Sequence, residues 1–287
     1  MPKRKKDNAE PKDEASPKQD ENNVAPTLKH DPTSTSEPLK TDFTIPHKDK
    51  QILCSLYKSH DTKTSTPPLI FTHGAGGGIS APATSSFASG FSLHAPILCF
   101  QGSLNLTQRI NFFKTAIDHQ ETCPALGGRS MGARAAVLTA LERENDDVEA
   151  LVLVSYPLLA AGEKREYERR EKILLDLGEK VDVLFIIGSE DKQCDFLRLE
   201  EIRAEMKARS WLCVVEGADH GMGLKPKKAE EVMRRKTGEV AAKWLESRDP
   251  ERTECEIWWD EEKSELVCGE WREKSSDDAP KTKKTKR

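Results

Sequence analysis

The sequence predicts an α/β fold, a mostly parallel central sheet flanked by helices, with a charged tail at each end. Three observations carry that expectation. Short apolar runs alternate with amphipathic helical stretches between about Thr41 and Ser247. Most of those runs are continuously apolar, which marks strands covered on both faces. Residues 1–40, by contrast, hold six of the 16 prolines, no aromatic residue and no apolar periodicity. Such a segment cannot offset its ordering entropy by burial and is expected to be disordered.

The elements follow in order. Residues 51–57 (QILCSLY) read as an early strand, paired in a hairpin with residues 43–46. Firmer strands come at 68–72 (PLIFT), 95–100 (APILCF), 125–127, 150–155 (ALVLVS), 183–188 (VLFIIG) and 211–215 (WLCVV). Residues 107–119 place Ile110, Phe113 and Ile117 on one helical face. Residues 133–143 are rich in alanine and leucine, strong helix formers. Residues 196–208 align Phe196, Leu199, Ile202 and Met206, and residues 229–245 carry Val240, Trp244 and Leu245 toward a core. The Trp-rich stretch CEIWWDEEKSELVCGEW alternates enough to form an added hairpin. The expected organisation is a charged tail over 1–40, a folded domain over 41–248, the Trp-rich extension over 249–272 and a basic tail over 273–287.

Charge and cysteine usage exclude several classes. A net charge of -4 leaves no concentrated basic face, so no nucleic-acid partner is expected. There is no apolar run long enough to cross a bilayer and no signal-like N-terminal stretch, so no membrane is expected either. The seven cysteines are odd in number and never arranged as C-x-x-C, which fits an intracellular, reduced protein, cytoplasmic or nuclear. PKRKK at 2–6 and KTKKTKR at 281–287 read either as nuclear-import signals, through which the tails would meet a nuclear protein partner, or as solubilising charge.

Chemistry concentrates at GGRSMGAR, residues 127–134, where Gly128-Arg129-Ser130-Met131-Gly132 matches G-x-S-x-G at a strand-to-helix turn. A serine hydroxyl is a weak nucleophile and needs an adjacent base. Asp191 follows VLFIIG in GSED, and His220 follows WLCVV in GADHG. Taken singly, His220 reads as a structural histidine and Asp191 as a helix N-cap or loop residue. In the order Ser, Asp, His, after successive strands, they read as a nucleophile, an orienting acid and a base, the order α/β hydrolases use. An imidazole of ordinary pKa, ~6.5, can take and return the serine proton, and a buried carboxylate would hold its tautomer. Glu190 is the reserve acid; Asp219 is expected to point away from the imidazole. Donors for a developing oxyanion are expected from the backbone N–H of Met131 and of Ala75, with Gly74, Gly76 and Gly77 forming a substrate-binding loop after PLIFT. His73 reads as a structural hydrogen-bonding residue, and Cys194 as a small buried hydrophobe.

No cofactor or metal is expected. GGGISA at 76–81 resembles a dinucleotide loop, but Pro82 follows at once and no ribose-binding acid stands ~20 residues on. Cys255 and Cys268 have no partners at zinc spacing.

The segments LIFTHGAGGG, GGRSMGARAA, SYPLLAAG, GSEDKQC and VVEGADHGM together resemble the α/β-hydrolase-like family that contains a testis-expressed protein and a subunit of the nonspecific lethal chromatin complex, relatives of dienelactone hydrolases. The resemblance spans about residues 50–248. It implies the α/β-hydrolase fold and puts Ser130, Asp191 and His220 at the family's triad positions, but it implies no substrate. Some members have lost triad residues and serve as scaffolds; this chain keeps all three. Residues 163–178 (EKREYERREKILLDLG) form one short charged stretch where many hydrolases insert a lid, so only a minimal lid is expected. The expected function is a serine hydrolase acting on a small-molecule acyl substrate of ester, thioester or lactone type. The alternative is a non-catalytic scaffold or interaction protein in a nuclear complex.

Overall fold

The computed structural model describes residues 37–64, 66–120, 125–143, 148–159 and 167–274. Of the tails expected over 1–40 and 273–287, residues 1–36 and 275–287 lie outside the described residues, as does the part of the lid segment before 167. Among the described residues there are ten strands: β1 (Leu39–His47), β2 (Lys50–Lys58), β3 (Leu69–Thr72), β4 (Ile97–Phe100), β5 (Ala125–Arg129), β6 (Ala150–Val154), β7 (Asp182–Gly188), β8 (Arg209–Val215), β9 (Glu254–Asp260) and β10 (Glu265–Cys268). Six helices accompany them among the described residues: α1 (Pro82–Phe91), α2 (Leu106–Gln120), α3 (Met131–Glu142), α4 (Tyr167–Leu175), α5 (Phe196–Glu205) and α6 (Ala229–Glu246). The strands make one sheet in the order β1-β2-β4-β3-β5-β6-β7-β8-β9-β10. From β4 to β9 neighbours are parallel; β1, β2 and β10 add antiparallel edges.

Strands β3, β4, β6 and β7 are buried at every position, as their apolar runs require. Successive side chains still divide between the two faces with period two. Leu151, Leu153, Phe185 and Ile187 enter one core, beneath α2, α3 and α5. Val152, Val154, Leu184 and Ile186 enter the other, beneath α1 and α6.

Three features differ from the sequence reading. The first strand begins at Leu39, inside the expected tail, because Leu39 and Lys40 continue the register opposite Lys58 and Tyr57. The Trp-rich hairpin, β9 and β10, is part of the main sheet: β9 runs parallel to β8 with Cys213 opposite Cys255. Glu254 of β9 also bonds the buried Arg203 of α5 at 2.8 Å.

The third difference is α1, which the sequence reading lacks. PATSSFASGF is poor in strong helix formers. What holds it is tertiary contact: Phe87 stacks on Phe71 with ring centroids 4.5 Å apart, and Phe87, Ala88 and Phe91 are buried. The helix lies directly against α6, backbone to backbone. A Cβ on Gly238 would stand 2.0 Å from the Phe87 carbonyl oxygen, and one on Gly90 1.8 Å from that of Arg235. Gly238→Ala is therefore expected to force the helices apart. Overpacking should outweigh the helix-propensity gain by about 2 kcal/mol and lower Tm by about 5 °C in a thermal melt. Gly76→Ala, whose Cβ meets open space, is the control and should melt with the wild type.

Candidate active site

In open parallel sheets, sites form beyond the carboxyl ends of the strands. Here the segments after β3, β5, β7 and β8 meet there. Between the last residue of β5, Arg129, and the first of α3, Met131, only Ser130 remains to make the turn. It adopts φ 51° and ψ −112°, a backbone conformation costly for an L-residue and found where surroundings enforce it. The enforcement is steric and hydrogen-bonded. A Cβ on Gly128 would lie 2.4 Å from the Gly132 carbonyl carbon, and one on Gly132 2.6 Å from the Thr72 carbonyl oxygen. Only glycine fits either place. The Ser130 N–H donates to Val154 O at 2.9 Å, locking the turn to β6.

Ser130 Oγ lies 2.9 Å from His220 Nε2. His220 Nδ1 lies 3.0 and 2.9 Å from the two oxygens of Asp191. An ionised carboxylate can only accept, so Nδ1 carries the proton toward Asp191 and Nε2 is left to accept from the serine hydroxyl. The Asp191 side chain is fully buried, while that of His220 keeps 19% of its surface exposed. Asp191 Oδ1 also accepts the Gln193 N–H at 2.8 Å. The neighbouring acids face elsewhere. Glu190 is exposed, and the Asp219 carboxylate accepts the N–H of Gly223 at 2.8 Å, bracing the histidine loop. Cys194 is 5% exposed, and burial pushes its thiol pKa well up, as for an inert packing residue.

The loop after β3 borders the serine. A Cβ on Gly74 would lie 3.6 Å from Ser130 Cβ. Gly74 is buried; Ala75, Gly76 and Gly77 are exposed, with Gly77 at φ 94°. Among the described residues, the N–H groups of Gly74, Ala75 and Met131 meet no backbone acceptor. Met131 is half-buried at the start of α3, where the first N–H groups of a helix are unsatisfied and carry partial positive charge.

His73 holds this loop from behind. Its Nδ1 donates to Gly74 O at 2.6 Å, and its Nε2 accepts from the Gly102 N–H and from Gln101 Nε2, each at 2.9 Å. Burial, helped by the nearby Arg109 charge, pushes its pKa down to about 4, so the ring is neutral at neutral pH and its tautomer is set. The sequence reading missed two arginines. Arg129, the variable residue before Ser130, donates through Nη2 to the carbonyl oxygen of His220 at 2.5 Å. Arg109 of α2 is wholly buried and reaches the carbonyls of His73 and Gly74. Its signal was positional: it lies four residues before Phe113, on the apolar stripe, where a charge has to be explained.

Among the described residues, no group of three or more His, Cys, Asp and Glu is arranged to hold a metal ion. No helix of the described residues is long and apolar enough to cross a membrane.

A family model described as alpha/beta hydrolase domain matches residues 104–247. Among solved structures, Est1E from Butyrivibrio proteoclasticus superposes with a TM-score of 0.56 at 14% identity, over 74% of this chain and 100% of that one. Dienelactone hydrolase from Anabaena variabilis gives 0.57 at 15% identity, over 74% and 98%. The Pyrobaculum calidifontis esterase gives 0.56 at 16%, over 73% and 86%. At such identities the likeness is one of fold.

Proposed function

Since the chain belongs to the alpha/beta hydrolase domain family, we propose that it is a serine hydrolase that cleaves a small acyl substrate of ester, thioester or lactone type through an acyl-enzyme. The observation that carries this reading is the unbroken relay from Ser130 Oγ to His220 Nε2 at 2.9 Å and from His220 Nδ1 to Asp191. Ser130 Oγ attacks the carbonyl carbon as His220 Nε2 takes its proton. Asp191 keeps the imidazole in the required tautomer and stabilises the imidazolium that forms. Negative charge collects on the former carbonyl oxygen, and the free N–H groups of Ala75 and Met131 receive it. Collapse expels the alcohol, thiol or ring oxygen, protonated by His220, and leaves Ser130 acylated. Water, deprotonated by the same nitrogen, then releases the acid.

Within the family, the five segments quoted above support placing this chain beside the testis-expressed protein and the nonspecific lethal complex subunit. The complete Ser130, His220 and Asp191 set supports an enzyme rather than a scaffold.

The test is covalent. A fluorophosphonate probe should phosphonylate the wild type on the peptide carrying Ser130, identified by its mass shift, and leave Ser130→Ala unlabelled. Folded wild-type protein that resists the probe at neutral pH would remove the serine-hydrolase reading.

A further inference from the structure

A buried cation is expensive unless it is paired. Arg109 is fully buried, yet none of the hydrogen bonds it makes among the described residues goes to a carboxylate. Its guanidinium is spent on main-chain carbonyls. Nε donates to Ser103 O at 2.8 Å, Nη1 donates to His73 O, and Nη1 and Nη2 both reach Gly74 O at 3.3 Å. His73 Nδ1 converges on the same Gly74 oxygen. Packing alone does not call for a charge here, since an apolar side chain could fill the volume.

The carbonyls it holds belong to the loop that borders Ser130. A planar trans peptide carries its N–H opposite its C=O. With the His73 and Gly74 oxygens turned onto the guanidinium, the N–H groups of Gly74 and Ala75 are turned away from it. These are the groups that meet no backbone acceptor, and Gly74 stands against Ser130. A hydrogen bond accepted by one end of a peptide group also polarises the donor at its other end, most strongly where water is absent.

We infer that Arg109 is a positioning residue of the hydrolytic reaction proposed above: it sets the direction of the Gly74 and Ala75 N–H groups and strengthens them through their own peptide bonds, so that a charge buried behind the loop stabilises an oxyanion it never touches. The inference rests on the serine-hydrolase reading and adds to it a device that no motif announces. The charge persists at neutral pH, since burial brings the Arg109 pKa down only to about 10. The titratable group that faces it is His73, neutral above its pKa of about 4; Thr72, Gln101, Gly102 and Ser103 contribute only uncharged groups.

The experiment uses the full chain with p-nitrophenyl acetate and the fluorophosphonate probe. Arg109→Met should lower kcat about 100-fold, the scale of losing one oxyanion donor. KM should stay within about threefold, and phosphonylation of Ser130 should slow by the same factor as kcat, because the lost interaction is made in the transition state. Arg109→Lys should recover part of the rate at neutral pH and lose it again as pH rises, since a buried ammonium gives up its proton below its ordinary value of ~10.4. The wild type should show no such loss until the pH approaches about 10. A cooperatively melting Arg109→Met with kcat within about threefold of wild type would overturn the inference. So would an Arg109→Lys rate that tracks the wild type across the alkaline range, the deciding result if the methionine variant does not fold. Wild-type protein unlabelled at Ser130 would end the hydrolase reading and this inference with it. Labelled wild type with indifferent Arg109 variants would end this inference alone.

Discussion

Ser130→Ala is expected to lower turnover of an activated ester by about 10⁴ to 10⁶, with the fold intact, and His220→Ala to be nearly as inert. The two losses should not add. In the proposed mechanism Ser130 and His220, 2.9 Å apart, share one proton, so once either is gone the other has nothing to do. The double variant should match the poorer single one, and steady-state kinetics on the four proteins closes the cycle. Losses that multiply would mean that the two side chains act independently, and the mechanism would have to be redrawn. A residual rate above water is expected in all three variants, because the backbone N–H groups at Ala75 and Met131 survive the substitutions.

Asp191→Asn should cost about 10⁴ in kcat for a different reason. The amide is nearly the shape of the carboxylate, so the buried site and the bond from Gln193 N–H can persist. What changes is the direction of donation. An amide nitrogen facing Nδ1 offers a proton where the aspartate accepted one, and the imidazole is then favoured with its hydrogen on Nε2. That nitrogen can no longer receive the proton of Ser130. The imidazolium also loses its countercharge. The pH–rate profile of the variant should therefore differ in shape from wild type, whereas a variant that merely loosened the loop would keep the profile and scale it down.

The central sheet was legible because its strands are covered on both faces, and that requirement writes itself as uninterrupted apolar runs such as ALVLV and VLFIIG. The helices α2, α3, α5 and α6 were legible from their periodicity or composition. Helix α1 was not, since its stability is borrowed from Phe71 and from the two glycine contacts with α6, and no local propensity encodes either. Leu39 and Lys40 were assigned to the tail because their neighbours are charged and proline-rich; pairing with β2 decides otherwise. At the site, Ser130, Asp191 and His220 could be singled out because each follows a strand, and the structure brings their side chains together. The choice between Glu190 and Asp191 turned on which side chain is directed inward, which sequence only suggests. Arg109 could be marked as a charge on an apolar face, but its partners are carbonyl groups, and every residue has one of those.

The strand order carries a mechanical consequence. Ser130 rises from the end of β5, Asp191 follows β7 and His220 follows β8, so β6 and β7 both stand between the strand that carries the serine and the strand that carries the histidine. Neighbouring strands are spaced by about 4.8 Å, so the loop bearing His220 must reach back across three such spacings, roughly 14 Å, to meet the hydroxyl. Strands β6 and β7 thus act as a shim: the gauge between Ser130 and His220 is kept by main-chain ladders beneath them, and a slight swelling or twist in the middle of the sheet would part the two side chains above it.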